Sequence, residues 1–381
     1  MFTSTPVSNF IESGGTMIRA QLRLLFVSVV LSLVFACTDS GPVFHAQDRP
    51  LRLSEWNLYS LSADALIPSE SSLVFRPANP LFTDYAHKLR SLWIPANTQA
   101  HLAEGEIDYP VGTVLSKTFY YPKNTQGAIE KREDPGLEKI DLQYNQLIET
   151  RLLVRKEMGW DAFPYVWNDE QTEAFLRVAG ASKSIQLTSE QGTLDFVYFV
   201  PNENQCAGCH TTSHPDGDMH PLGAIASQLS SSVFPREGLM EIQTEILRAR
   251  GWLDEIPIRM ESKSWRDESY SIEDRALAYL NIHCGHCHNP NGAADTSGLI
   301  LDGSHAIRIN MGVCKPPVAA GGGSGDLLYG IVPGAPEQSI LLYRMQSAKP
   351  DEMMPELGRS LVHVEGVELI GRWISEMPGS C

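Results

Sequence analysis

The chain has 381 residues, 43% of them hydrophobic, with 30 glycines and 24 prolines, enough for more than one ordinary core and too apolar for a disordered or fibrous chain. Aspartate and glutamate outnumber lysine and arginine 46 to 30, and the net charge of −16 argues against nucleic acid or anionic lipid headgroups as the main partner. One long apolar run, and no more, excludes a multi-span membrane protein.

That run, residues 24–36 (LLFVSVVLSLVFA), is short for a membrane span and suits the apolar core of a signal peptide behind Arg19 and Arg23. Met17 stands just ahead of the basic residues and is the alternative start. The segment ends Val34-Phe35-Ala36-Cys37, which resembles the box at which a bacterial lipoprotein is cleaved and its cysteine acylated, although Phe35 is bulkier than that box prefers. The expectation is a signal peptide over 1–36, a lipid on Cys37 and a polar tether over 37–52. A plain cleaved signal and an uncleaved anchor remain the alternatives.

Residues 53–200 hold short β-rich runs punctuated by glycine and proline, among them 112–122 (GTVLSKTFYYP) and 146–154 (QLIETRLLV). They predict a β-rich, sandwich-like domain whose tryptophans, Trp56, Trp93, Trp160 and Trp167, fill its core. The chain contains no G-x-S-x-G, H-E-x-x-H or phosphate-loop signature, and the glycine run at 321–325 lacks the lysine such a loop needs.

The seven cysteines carry the sharper signal. Cys206-Ala-Gly-Cys209-His210 and Cys284-Gly-His-Cys287-His288 both read C-x-x-C-H, the attachment pattern of c-type haem. At this composition one such string arises by chance in about four chains per thousand, so two are no accident. Two thiols three positions apart can add to the two vinyl groups of one porphyrin, while the next residue supplies an imidazole to the iron. Half of a zinc site, redox-active thiols and ordinary disulfides are the competing readings, and none of them explains a histidine after both second cysteines.

A first haem-binding segment is expected over 201–262, with a strand ahead of Cys206, no helix leading into it, and a helical stretch over 239–253. Its distal ligand is sought among His214, Met219 and His220. A domain with the second haem is expected over 263–381, its motif bracketed by amphipathic helices at 271–283, capped by Ser271, and at 365–377. Between them, Met354 precedes a proline and is the expected sulfur ligand of the second iron, ahead of Met353. His286, inside the second motif, is expected to face solvent or a propionate. With one cysteine acylated and four in thioethers, Cys314 and Cys381 remain, and these are expected to form a disulfide.

Beyond the motifs, PLFTDYAHKLRSLWIP, YPVGTVLSKTFYYP, IETRLLV, YVWNDEQTEAF, VPNENQCAGCH, RALAYLNIHCGHCHNPNGAADTSGL, CKPPVAAGGGSGDLLYGIVPGAPEQSILLYRM and MPELGR run from Pro80 to Arg359, over most of the expected mature chain. In these strings the chain resembles the diheme c-type cytochromes that bacterial genomes often carry beside a parallel β-helix repeat protein. The expected fold class is therefore α+β multidomain, with a β-rich domain followed by a mainly α-helical cytochrome c-type haem region. Two covalently attached haems c are expected, in an electron-transfer lipoprotein facing the periplasm, most naturally on the outer membrane. Its partners would be periplasmic redox donor and acceptor proteins, with the β-helix protein as a further candidate and the membrane reached through the lipid. The alternatives are a peroxidase or small-molecule dehydrogenase with an open distal position at the first haem, and a structural lipoprotein whose haems serve a partner.

Overall fold

The structure is a computed structural model describing residues 1–4, 41–230, 233–236, 239–256, 262–303, 308–318 and 320–381. Cys37 and the apolar run before it lie outside the described residues. No helix among the described residues is long and apolar enough to cross a membrane. Residues 42–381 close into one compact unit.

Fifteen strands are described: β1 (Tyr59–Leu61), β2 (Ala65–Pro68), β3 (Leu73–Val74), β4 (His87–Trp93), β5 (His101–Ala103), β6 (Glu106–Asp108), β7 (Val114–Pro122), β8 (Ile140–Asp141), β9 (Asn145–Lys156), β10 (Gly159–Trp167), β11 (Ala174–Leu176), β12 (Ala181–Ser189), β13 (Gly192–Val200), β14 (Val233–Arg236) and β15 (Leu239–Ile242). The helices are α1 (Glu203–His210), α2 (Ala226–Ser230), α3 (Gln243–Ala249), α4 (Ile272–Leu280), α5 (Ile340–Gln346) and α6 (Val364–Glu376).

The central sheet is antiparallel and six-stranded, in the order β11-β10-β9-β7-β4-β3. Successive side chains in a strand point to opposite faces, so each face has its own chemistry. One face carries Leu89, Val114, Leu152 and Val154 and is covered by the sheet β1-β2-β8 through Trp56, Leu58, Leu66 and Ile140. Trp56 is fully buried there and donates its indole N–H to the Tyr165 hydroxyl at 2.7 Å. The other face carries Leu92, Leu115 and Leu153, against which α2 and α3 pack through Leu229, Ile246 and Leu247. Next to that apolar patch, the hairpin β12-β13 packs Ile185, Leu187 and Tyr198 against Phe119 and Ile148.

The expectation of a mainly α-helical haem region is overturned. The described chain is 27% strand and 22% helix, built on several antiparallel sheets, with six α-helices among the described residues. Outside α4 and α6, much of the C-terminal half is turns and single 3-10 turns, because glycines and prolines interrupt its apolar periods there. The stretch expected to be helical from 239 instead begins with a strand, β15, paired to β14, and turns helical only at Gln243. The helices at α4 and α6 stand as expected, with the Ser271 hydroxyl accepting the Asp274 N–H at 3.1 Å. They cross at Gly366, where any Cβ would run into the Tyr279 ring. Cys314 and Cys381 are joined by a disulfide, 67 residues apart in sequence.

Asp84 ties the two halves together. Its backbone is left-handed (φ 45°), and its buried carboxylate accepts the N–H groups of Ser360 and Leu361, both at 2.7 Å. Burial outweighs those bonds and the attraction of Arg359, and pushes the carboxyl up to about 6. The sign follows directly: the stabilisation from this group is complete below the unfolded value of 3.8 and is lost as pH rises through about 6, where a buried charge forms. Asn keeps an acceptor and tolerates a left-handed backbone. Asp84→Asn is therefore expected to gain about 1–3 kcal/mol over the parent above pH 7 and nothing below pH 4. Urea unfolding at several pH values checks it, and a pH-independent difference would refute it.

Candidate functional site

The first motif rides on a helix of its own, contrary to expectation. Strand β13 ends at Val200, and Asn202 then caps α1: its side chain accepts the Gln205 N–H at 2.9 Å while the Gln205 side chain accepts the Asn202 N–H at 2.9 Å. Cys206 and Cys209, one turn apart, are free thiols on the wall of a cavity of about 750 Å³. His210 closes the helix. Its Nδ1 donates to the His220 carbonyl at 2.7 Å, and the His220 N–H returns a bond of 2.7 Å to the His210 carbonyl. This fixes the tautomer and leaves Nε2 for another partner, the usual arrangement of a metal-ligating imidazole. Burial, aided by Lys117, pushes the ring down to about 4, so it is neutral near pH 7.

The loop after α1 folds back through a Thr211–Met219 bridge. His214 is exposed, and of the three candidate distal ligands only His220 lines the cavity. The buried Nδ1 of His220 has no hydrogen-bond partner among the described residues.

The second motif follows α4 through a single π turn, Asn281–Gly285, which carries Cys284. The N–H groups of Cys287 and His288 both donate to the Cys284 carbonyl, at 3.1 and 2.8 Å. Gly285 is required here, since a Cβ would come within 2.7 Å of the Asp302 backbone. Cys284 and Cys287 are free, and the His288 Nδ1 bonds the Ser297 hydroxyl at 3.1 Å. Burial pushes the His288 ring down to about 4 as well. The neighbouring His283 is already spoken for: its Nε2 accepts the Phe82 N–H at 3.0 Å, so its Nδ1 carries the proton donated to the Tyr279 carbonyl at 2.9 Å.

The two motifs, 78 positions apart in register, meet in space. The ligand atoms of Cys209, His286 and Cys287 all lie within 4.8 Å of one another, and the Cys287 thiol also reaches the Gly208 carbonyl at 3.5 Å. Their shared hydrogen bond pulls the Cys209 thiol down and pushes that of Cys287 up. His286 thus sits half-buried in a cluster rather than in solvent. Three such ligands are one short of a closed tetrahedral zinc site.

Met354 lines the cavity, as do Gly285 and His286, whereas Met353 is buried away from it. The Arg359 guanidinium stiffens the Met354 loop by donating to the carbonyls of Arg344, Ser347, Met354 and Leu361. Sequence reasoning missed Arg90, Lys117 and Arg151, which also line the cavity. No local signal marked them, since Arg90 shares its strand with Lys88, and Arg151 shares its own with Arg155 and Lys156.

Comparison with protein-family models, with curated proteins and with solved structures finds no match to this chain. The chemistry of the donor set is what tests for haem. Cys206, Cys209 and His210, paired thiols one helical turn apart and a neutral imidazole anchored through Nδ1, line a cavity whose volume fits a covalently held haem; Cys284, Cys287 and His288 repeat the donor set but do not line that cavity.

Proposed function

We propose that this chain is a diheme c-type cytochrome that transfers electrons, with one haem held by Cys206, Cys209 and His210 and the other by Cys284, Cys287 and His288. The observation that carries the reading is the pair of C-x-x-C-H motifs with all four thiols free in a chain that pairs its other two described cysteines. When bound, haem supplies one-electron chemistry at iron. The protein contributes the rest. His210 and His288 are held neutral and pointed by their Nδ1 bonds, and Met354 offers a soft sulfur from a loop braced by Arg359. The nearness of Cys209 and Cys287 supports exchange of electrons between the two sites, because it sets their attachment points side by side.

The leader and Cys37 support a periplasm-facing lipoprotein, anchored to the membrane by its lipid and working between redox donor and acceptor proteins. A parallel β-helix protein is one partner to try. One observation favours a second reading, a peroxidase or small-molecule dehydrogenase with an open first distal position: His214 and Met219 do not line the cavity, and His220, which does, is bonded through its backbone to the motif's own ligand, His210. Visible and near-infrared spectra in both redox states test the proposal. Met354→Ala is expected to abolish the ferric near-infrared band of a methionine ligand and to lower the potential of one haem, since thioether sulfur favours ferrous iron. Carbon monoxide binding to half of the haem would favour the enzyme. Loss of the band in Met353→Ala instead would move the assignment to the other sulfur.

A further inference from the structure

The face of the central sheet that floors the cavity carries a row of three cations. Arg90 on β4 stands directly opposite Lys117 on β7, and Lys117 directly opposite Arg151 on β9. The row above it, Leu92, Leu115 and Leu153, is apolar and buried. Like charges facing one another across adjacent strands destabilise a sheet, and burying them adds a desolvation cost. Arg151 is compensated, because Glu149 takes two hydrogen bonds from it. Arg90 is 8% exposed, yet neither its guanidinium nor the Lys117 ammonium has an ion pair or a side-chain hydrogen bond among the described residues. Asp134 attracts Arg90 only from beyond ion-pair distance. In a chain of net charge −16, this cavity is lined by four cations, Arg359 being the fourth, and by one acid, Asp302.

We propose that Arg90, Lys117 and Arg151 form a carboxylate-binding site in the floor of the cavity. A carboxylate would supply the missing counter-charge, taken in fork geometry by Arg90 and as a point charge by Lys117. Without it Lys117 is pushed down to about 7 by burial and by its two arginine neighbours, and it is poised to regain its proton when an anion arrives. Two sources offer this chemistry. One is a propionate of the haem proposed at Cys206 and Cys209, which line the same cavity as Lys117. That source rests on the function proposed above. The other is a free small carboxylate entering the same cavity.

The test uses the full-length protein, matured for haem attachment, with Lys117→Met as the variant and Lys117→Arg as the rescue. Lys117 is half-buried, over the Phe119 ring and in no ion pair among the described residues, so Lys117→Met is expected to fold. If the source is a propionate, Lys117→Met lowers the potential of one haem and leaves the other, and Lys117→Arg restores it. If the source is a free acid, succinate binds the parent saturably, about tenfold more weakly in Lys117→Met, with the affinity recovered in Lys117→Arg. Arg90→Gln should act in the same direction in whichever arm responds. Unchanged potentials together with no succinate binding would overturn the site. A parent chain that carries no covalent haem but binds succinate would refute the cytochrome reading and keep the site.

Discussion

Alanine at both Cys284 and Cys287 is expected to cut covalent haem from two per chain to one. Cys206→Ala with Cys209→Ala should do the same, and all four together should leave none. The expectation rests on where the thiols sit. Each motif has its own segment, α1 in one case and, in the other, the π turn after α4 that bears Cys284 together with the turn that follows it, and each has its own anchored histidine. The motifs should therefore load independently. Haem-stained denaturing gels, with haemochrome absorbance measured per chain, read the outcome. A parent content near one would mean a single haem shared across Cys209 and Cys287. A content near zero with one zinc per chain would mean that Cys209, His286 and Cys287 hold a metal instead.

Glu149→Gln is expected to destabilise the protein by about 3–5 kcal/mol. Glu149 is fully buried and takes two hydrogen bonds from Arg151, at 2.6 and 2.7 Å, and one from the Tyr198 hydroxyl at 2.6 Å. An amide removes the charge that compensates Arg151 and turns a donor toward a group that has only donors. Replacing both partners, Glu149→Leu with Arg151→Met, should return most of the loss, since a buried pair exchanged for apolar side chains is often close to neutral. Urea unfolding of the parent, the single variant and the double variant separates the terms. A loss below about 1 kcal/mol in the single variant would show that the pair is not isolated from water.

The parts legible in the sequence are those with a short, strong local pattern. The alternation in β7 and β9, the capped period of α4 and the apolar stripe of α6 each lie within a dozen residues, and all were read in place. The C-terminal half was misjudged for a physical reason: two good helices suggested a helical domain, while the glycine-rich and proline-rich connections between them carry most of its length. The helix at the first motif was hidden because Glu-Asn-Gln-Cys-Ala-Gly-Cys-His has no apolar period. It is set by the cap at Asn202 and by its place against the sheet. The cation row was out of reach altogether, because register across β4, β7 and β9 places Arg90 beside Lys117 and Arg151, and register is a property of paired strands.

The closeness of Cys209 and Cys287 imposes an order on assembly. Their sulfur atoms lie within 4.8 Å, so a small shift and a two-electron oxidant suffice to join them. The chain already joins one cysteine pair, Cys314 and Cys381, by such an oxidation. If the motifs hold haem as proposed, a single misplaced bond would take one thiol from each and disable both attachment sites at once. Under the diheme reading, ligation must therefore run ahead of tertiary closure: a chain that reaches its final shape empty has brought together the two sulfurs that reading needs kept apart.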